Sequence, residues 1–194
     1  MISAVILAAG LSRRMGKPKQ LLPLGSKKLV EHAVANALYS KAGEVIVVIG
    51  AQREKVEQTL SLYDVKTVFN PRYNEGQGTS VAAGAAAVSS QCQGILYLLA
   101  DQPFVYPEVI DGIIDAFLDK KAPVVRAGRT GHPVLFDIAL KHQIMQLSGD
   151  TGGRKIISKY KQNIVTVPVC QCFLTADLDT EEDYQRAKAL FIIK

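Results

Sequence analysis

A glycine-bearing segment near the N-terminus carries enough positive charge to hold an anion. It reads AAGLSRRMGKPK, from Ala8 to Lys19, and contains two arginines and two lysines. It follows an apolar run, residues 3–9, of the kind that forms a buried strand. Backbone N–H groups of such a turn, together with basic side chains, suit a phosphate-rich ligand such as a triphosphate. We therefore favour an anion-binding loop over a solvated basic loop.

Two familiar phosphate-binding motifs do not fit this segment. A P-loop requires GxxxxGK[ST], whereas here five residues separate Gly10 from Gly16 and a proline follows Lys17. The dinucleotide fingerprint GxGxxG is also missing from the sequence, which disfavours an NAD-binding oxidoreductase.

An isolated carboxylate, Asp101, directly follows another apolar run in the segment LLADQPFV. Mg²⁺ is bound by one or two carboxylates together with substrate phosphates, so this position suits a metal ligand. The alternative is a turn cap, because Asp-x-Pro is a common turn composition.

Two glycine-rich segments offer further ligand contacts. In NEGQGTSVAAG, Gly76 and Gly78 allow a close backbone approach, and Ser80 begins a predicted helix whose N–H groups suit an acceptor-rich ligand. A simple N-cap role for Ser80 is the alternative. In SGDTGGRKII, Arg154 stands at a predicted helix start, which also favours an anion.

Of the three histidines, His132 is the functional candidate. It lies in a polar Gly-His-Pro loop within RTGHPVLF, where a purely structural role is less expected than inside a helix. His32 and His142 fall within helical patterns, so we interpret them as structural. His132 and Arg154 are therefore the candidates for contacting a second substrate.

Short apolar runs alternate with helical patterns along the chain. Strands are predicted at residues 3–9, 44–50, 65–69, 94–100, 123–126 and 164–169. Helices are predicted at residues 28–40, 53–62, 80–89, 107–120, 137–147 and 180–191. Residues 133–136 are predicted as an additional, antiparallel strand.

This alternation predicts an α/β fold with a single domain over residues 1–194. The expected architecture is a three-layer α/β/α sandwich around a mostly parallel sheet with right-handed crossovers. Ligands of such sheets bind at the carboxyl ends of the strands. The basic loop and Asp101 both follow strands directly, so we expect them to meet there.

Composition argues against several classes of protein. Of the 194 residues 48% are hydrophobic and 21% charged, and the net charge of +5 comes from dispersed basic residues, so nucleic-acid binding is not expected. The cysteines, Cys92, Cys170 and Cys172, match no zinc or redox motif and are expected to be reduced. No apolar run suits a membrane span or a signal peptide, so the expected location is the cytoplasm.

The longer segment LAAGLSRRMGKPKQLLPLG resembles the signature of the MobA-like nucleotidyltransferases, in particular the molybdenum-cofactor cytidylyltransferase branch. The resemblance covers nearly the whole chain and implies a Rossmann-like nucleotide-diphospho-sugar transferase fold. It implies that the loop wraps a nucleoside triphosphate. CTP is indicated because the guanylyl enzymes typically carry a second glycine here. The residues implied to bind the nucleotide are Leu7, Ala8, Ala9, Gly10, Arg14, Lys19, Gly78 and Ser80.

The resemblance also implies the metal site. Asp101 matches a metal-ligating aspartate of the family. The segment TADLDTEEDY resembles the family's closing motif, D-[IVL]-D-T-P-E-D, whose first acidic residue can complete the Mg²⁺ site. Asp177 is therefore the preferred second metal candidate and Asp179 the preferred helix cap, with the reverse assignment left open by the sequence. Glu181 stands where the family has proline, which puts only the helix entry in doubt.

The reaction implied by the resemblance is nucleotidyl transfer. A phosphate oxygen of molybdopterin would attack the α-phosphorus of CTP and pyrophosphate would leave, with Arg14, Lys19 and Asp101 as the catalytic residues. His132 and Arg154 would contact the acceptor. Two alternatives stay open: another acceptor, such as a sugar or polyol phosphate, and a non-catalytic accessory protein that delivers the cofactor to a molybdoenzyme such as xanthine dehydrogenase.

Overall fold

The computed structural model describes residues 1–12, 15–128, 131–169 and 175–192. Its strands in chain order are β1 (Ile2–Ala8), β2 (Pro23–Leu24), β3 (Lys27–Lys28), β4 (Glu44–Ile49), β5 (Lys66–Phe69), β6 (Gly94–Leu99), β7 (Val124–Ala127), β8 (Val134–Asp137) and β9 (Ile164–Val167). β2 and β3 form a small antiparallel hairpin, and the other strands form one sheet.

Helices alternate with these strands. They are α1 (Leu29–Leu38), α2 (Arg53–Leu60), α3 (Gln77–Ala87), α4 (Pro107–Lys120), α5 (Lys141–Met145), α6 (Arg154–Lys159) and α7 (Glu181–Ile192). Across the described ranges, none of the helices combines the length and the apolar character needed to span a bilayer.

The main sheet has the strand order β5-β4-β1-β6-β8-β7-β9. Neighbouring strands are parallel except around β8, which runs antiparallel to both β6 and β7. After β1, the next strands of the main sheet, β4 and β5, are added on one side of β1. The following strand, β6, pairs with the opposite side of β1. The topological switch point therefore lies between β1 and β6, the place where open α/β sheets bind their ligands.

Helices cover both faces of this sheet. α1, α2 and α4 pack on one face, and α3, α5 and α6 pack on the other. β1 is apolar apart from Ser3 because both of its faces are covered: Ile6 packs under α1, α2 and α4, and Val5 packs under α3, α5 and α6. The small residues of α3 let it lie close to β1, since a Cβ atom at Gly84 would be 2.4 Å from Cγ1 of Val5.

The predicted three-layer α/β/α architecture is confirmed, and the predicted antiparallel strand is β8. One predicted helix, over residues 137–147, is wrong in its first part. There the carboxylate of Asp137 accepts a hydrogen bond from the backbone of Ala139 and caps a 3-10 turn, Ile138–Leu140, before α5 begins. Of the cysteines, Cys92 is buried and free, whereas Cys170 and Cys172 lie outside the described residues.

Candidate active site

The carboxyl ends of β1 and β6 open into a cleft of about 850 Å³. The backbone N–H of Ala100 donates to the carbonyl of Leu7 at 3.2 Å, so the two strand ends adjoin. The predicted site residues that line the cleft are Leu7, Ala8, Ala9, Gly10, Lys19, Ser80, Asp101, His132, Arg154 and Asp177. Gly78 is not among the lining residues, and Arg14 lies outside the described residues.

The loop after β1 is shaped by Ser12, which adopts a left-handed φ of 52°. The hydroxyl of Ser12 accepts a hydrogen bond from the backbone N–H of Lys19 at 2.9 Å and donates one to Oε1 of the buried Gln20 at 3.3 Å. These contacts join the two ends of the loop. A 3-10 turn, Lys19–Leu21, then places the Lys19 side chain in the cleft.

The ammonium group of Lys19 lies between two carboxylates. Its Nζ donates to Oδ2 of Asp101 at 2.5 Å and to Oδ1 of Asp179 at 2.7 Å. Burial alone would lower the pKa of Lys19, but the charge of Asp101 and the hydrogen bonds to both carboxylates outweigh it and raise that pKa. The lysine is therefore a permanent cation at the switch point of the sheet.

Asp177 occupies a different position in the same acidic cluster. Its Oδ1 accepts a hydrogen bond from Nε2 of Gln102 at 2.7 Å. Burial raises the pKa of the Asp177 carboxyl and the negative charge of Asp101 adds to the effect, while the bond from Gln102 acts against it. The backbone N–H of Leu178 donates to the carbonyl of Asp101 at 3.1 Å, which holds the two acidic segments together.

The donor set of this cluster fits a divalent cation. Asp101, Asp177 and Asp179 bring three carboxylates to the cleft, and Asp101 and Asp179 share the ammonium of Lys19. In the described part of the chain no three histidine, cysteine or acidic side chains converge as a ready-made metal site. Mg²⁺ takes one or two carboxylates and completes its coordination with water and substrate phosphates, so Asp101 and Asp177 are enough protein ligands for it.

The end of α7 nearest the site shows which residue is the cap. Thr180 and Asp183 form reciprocal hydrogen bonds between side chain and backbone, at 3.0 and 3.1 Å. Thr180 is therefore the capping residue, and the interpretation of Asp179 as the cap is wrong. The Asp179 carboxylate instead accepts a hydrogen bond from Nζ of Lys19.

At the opposite wall of the cleft, a buried asparagine organises the start of α3. Nδ2 of Asn70 donates to the hydroxyls of Thr79 at 2.9 Å and Ser80 at 3.0 Å. The Thr79 hydroxyl lies within donor distance of the carbonyls of Arg72 and Gly76. Within the described residues, the Ser80 hydroxyl donates to no acceptor, so it faces the cleft as a hydrogen-bond donor.

Gly78 contributes to this wall through packing. Its backbone N–H donates to the carbonyl of Gly149 at 2.8 Å, and a Cβ atom at position 78 would lie 2.8 Å from backbone atoms of Ser148. The close backbone approach expected at Gly78 is thus made by the loop that precedes α6. Gly78 positions this loop beside the cleft.

Replacing Asn70 with alanine is expected to destabilise the protein by about 1–3 kcal/mol, because buried hydroxyl groups lose their partner. Urea unfolding measures this, and a raised KM for the nucleotide should accompany it because Ser80 is no longer oriented. Asn163→Ala, at an exposed position, is the control. An unchanged free energy of unfolding in Asn70→Ala would contradict this role.

His132 and Arg154 lie at the far end of the cleft, beyond Asp101. They also line a side cavity of about 60 Å³ between α3, α6 and the sheet. Burial lowers the pKa of His132, and the backbone of Tyr97 and the charge of Asp101 act in the opposite direction. The imidazole is therefore neutral near pH 7. α6 has only six residues, so it is the charged side chain of Arg154 that would attract an anion.

The lowered pKa of His132 predicts how the free energy of unfolding changes with pH. Above pH 6.5, its ordinary pKa, the residue is neutral in both the folded and unfolded states. Below that pH the unfolded chain takes up a proton that the folded protein does not, so the free energy of unfolding falls as the pH drops. One group contributes a slope of at most about 1.4 kcal/mol per pH unit. Denaturant unfolding between pH 5 and 8 should show a shallower slope for His132→Asn.

An identical pH slope in His132→Asn and the wild type would contradict the assignment. His32 contacts the carbonyl of Leu24 at 2.8 Å and the edge of the Phe191 ring, so its expected structural role is confirmed.

Comparison with known proteins agrees with this geometry. Residues 4–164 match the model of the MobA-like NTP transferase domain. The chain is 32% identical to a nicotine blue oxidoreductase of Paenarthrobacter nicotinovorans, over 95% of both chains. It is 28% identical to the molybdenum cofactor cytidylyltransferase of Escherichia coli, over 96% of this chain and 95% of that one. A nucleotidyl transferase from Methanothermobacter thermautotroptrophicus superposes with a TM-score of 0.87 at 25% identity, over 100% of this chain and 98% of that one. The chain therefore belongs to the family of MobA-like NTP transferase domains.

Proposed function

We propose that this protein transfers a cytidylyl group from CTP to the phosphate of molybdopterin or the molybdenum cofactor. The observation that carries the proposal is the meeting of Lys19 with Asp101 and its acidic neighbours at the carboxyl ends of β1 and β6. A phosphate-binding loop opposite a carboxylate cluster is what transfer between two phosphate groups requires. The similarity to the cytidylyltransferase of Escherichia coli supports this choice of substrates.

The nucleotide would lie along the loop after β1. Backbone groups of residues 7–10 would contact its base and sugar, and Lys19 would neutralise its phosphates together with Arg14, which is assigned from the sequence alone. The Ser80 hydroxyl would donate to an acceptor on the base or ribose. The choice of CTP rests on the Ala8-Ala9-Gly10 form of the loop.

Asp101 and Asp177 are the residues that would hold Mg²⁺. A bound Mg²⁺ supplies Lewis-acid stabilisation of charge on phosphate oxygens. Gln102 orients the Asp177 carboxylate, and Asp179 keeps Lys19 beside Asp101. The side chains of the chain itself thus hold opposite charges at fixed positions before any substrate binds, as electrostatic catalysis requires.

In the proposed reaction an ionised oxygen of the acceptor phosphate attacks the α-phosphorus of CTP. A new bond forms between them, the bond from the α-phosphorus to its bridging oxygen breaks, and pyrophosphate leaves. No general base is needed because the nucleophile is already ionised near neutral pH. The protein positions two anions against each other and offsets their repulsion. His132 and Arg154 would contact the acceptor.

The test is pyrophosphate release with each of the four nucleoside triphosphates and Mg²⁺, with and without molybdopterin. The proposal predicts release that depends on CTP and on molybdopterin. Pyrophosphate release with a sugar or polyol phosphate, and not with molybdopterin, would identify that phosphate as the acceptor. Absence of release with every nucleotide and acceptor would refute the enzyme and favour an accessory protein that binds the cofactor and delivers it to a molybdoenzyme.

One comparison favours a second candidate, an oxidoreductase activity. The similarity to nicotine blue oxidoreductase extends over 95% of this chain. The same preparation should therefore be assayed for oxidation of NADH and NADPH with dye acceptors. Turnover there, without pyrophosphate release, would replace the transferase proposal.

A further inference from the structure

Arg126 is a charged residue in the middle of a buried strand. On β7 it lies between Val125 and Ala127, both almost completely buried. Its Nε atom is buried without a hydrogen-bond partner, and no ion pair joins Arg126 to any residue within the described ranges. The residue as a whole is partly exposed, so the buried Nε–H is the group that lacks an acceptor, and leaving such a donor unpaired is costly. An anionic ligand in the cleft would supply that acceptor.

The Arg126 side chain lines the same cleft as the acidic cluster. Alternation along β7 puts Arg126 on the face of Val124, and its register partner on β8 is Val134. Both valines belong to the core covered by α6. Arg126 is thus on the face of the sheet from which Arg154 also reaches the cleft.

The buried side-chain polar atoms without a partner belong, within the described ranges, to residues that line this cleft. Among the described residues they are Oε1 of Gln102, Nε of Arg126 and Nδ1 of His132, and all three residues line the cleft. The Gln102 amide is only 2% exposed, and its orientation is settled because its Nε2 donates to the Thr175 carbonyl and the Asp177 carboxylate. Buried polar atoms are normally paired. Their location in the lining of the cleft indicates that a bound ligand supplies the missing partners.

The sheet separates this place from the nucleotide loop. β6 and β8 lie between β1 and β7 in the strand order, which puts Arg126 three strand spacings, about 14 Å, from the end of β1. Asp101 follows β6 and lies between the two. A nucleotide held by Lys19 approaches Asp101 from one side, so the nucleophile has to approach from the side of Arg126.

We propose that Arg126 binds the phosphate group of the acceptor and selects acceptors that carry one. This inference rests on the proposed nucleotidyl transfer. The guanidinium fork matches two phosphate oxygens at once, and its charge offsets the repulsion between the incoming phosphate and the nucleotide. The exposed Arg154 at the rim attracts the same group, whereas Arg126 fixes it next to Asp101.

Calorimetric titration of inorganic phosphate into protein saturated with α,β-methylene-CTP and Mg²⁺ tests this role. The wild type is expected to bind phosphate, and Arg126→Gln about 10- to 100-fold more weakly, the usual worth of a hydrogen bond to a charged group. Arg126→Lys, which keeps the charge but loses the fork, should fall between them. Lys155→Gln, at an exposed position on α6, removes the same charge and should match the wild type. Acetate should bind more weakly than phosphate, and equal affinity would overturn the phosphate selectivity.

Thermal unfolding separates this role from a structural one. The buried Nε–H of Arg126 has no acceptor within the described residues, so its removal breaks no hydrogen bond there and Arg126→Gln should have a Tm equal to or above that of the wild type. Phosphate should raise the Tm of the wild type but not that of the variant. A lower Tm in Arg126→Gln together with an unchanged phosphate affinity would overturn the proposal.

Before phosphate is added, α,β-methylene-CTP is titrated into the protein. This first titration tests the proposed function independently of the role of Arg126. If α,β-methylene-CTP does not bind, that function fails in its choice of nucleotide. Phosphate is then titrated into nucleotide-free wild type, Lys19→Met and Arg126→Gln. Binding that survives in Lys19→Met and is lost in Arg126→Gln supports the inference, and the reverse pattern overturns it.

Discussion

Replacing Asp101 with asparagine is expected to lower kcat/KM for nucleotidyl transfer about 1,000-fold, because several kcal/mol of charge stabilisation by a bound metal are lost. Asparagine keeps the volume of the side chain but removes its charge. The hydrogen bond from Leu178 to the backbone carbonyl of Asp101 is retained, so the fold should persist. Steady-state pyrophosphate release across a range of Mg²⁺ concentrations measures the effect.

The matched control is Asp119→Asn, at an exposed position on α4 that is remote from the cleft. It should leave kcat/KM unchanged. Asp177→Asn and Asp179→Asn then separate the two neighbouring carboxylates: the first should raise the Mg²⁺ concentration needed for half-maximal rate, and the second should act mainly through Lys19. Near-normal Mg²⁺-dependent turnover in Asp101→Asn would show that the metal assignment is wrong.

Replacing Lys19 with methionine is expected to lower kcat about 100- to 1,000-fold, the loss typical of removing one donor that stabilises transition-state charge. Methionine keeps much of the aliphatic stem. The variant also leaves Asp101 and Asp179 without their shared cation, so its Tm should fall and Mg²⁺ should raise it more than in the wild type. Single-turnover kinetics and thermal unfolding with and without Mg²⁺ measure both effects.

Lys17 offers a close control because it lies in the same loop, is exposed and is not among the residues that line the cleft. Lys17→Met removes the same charge from the same loop. It should retain most of the activity. Equal losses in the two variants would mean that the loop acts through its total charge and that the position of Lys19 is unimportant.

The parts of the site that could be predicted from sequence share a simple pattern. Asp101 and the basic loop that ends at Lys19 directly follow apolar runs that are typical of strands, and the carboxyl ends of such strands meet at one edge of a parallel sheet. Ser80, His132 and Arg154 were found because glycines surround or precede them. The structure places all five in one cleft. Their roles as nucleotide, metal or acceptor contacts stay predictions.

The parts that could not be predicted depend on contacts between distant segments. Asn70 follows a short strand and looks like an ordinary turn residue, yet it holds two hydroxyls of α3. Gln102 is hidden beside Asp101, and its partner segment is more than seventy residues away along the chain. Arg126 sits in an apolar run that sequence rules treat as core. In all three cases the role depends on contacts with residues that are distant in sequence, and these contacts are seen only in the folded structure.

Positional labelling of the nucleotide distinguishes cytidylyl transfer from every other cleavage of CTP. CTP labelled at the α-phosphorus and, separately, at the γ-phosphorus is incubated with the protein, Mg²⁺ and molybdopterin, and the products are separated. The α-label is expected to move into the acceptor product and the γ-label into pyrophosphate. Release of the γ-label as orthophosphate, or retention of both labels in CTP, would contradict cytidylyl transfer.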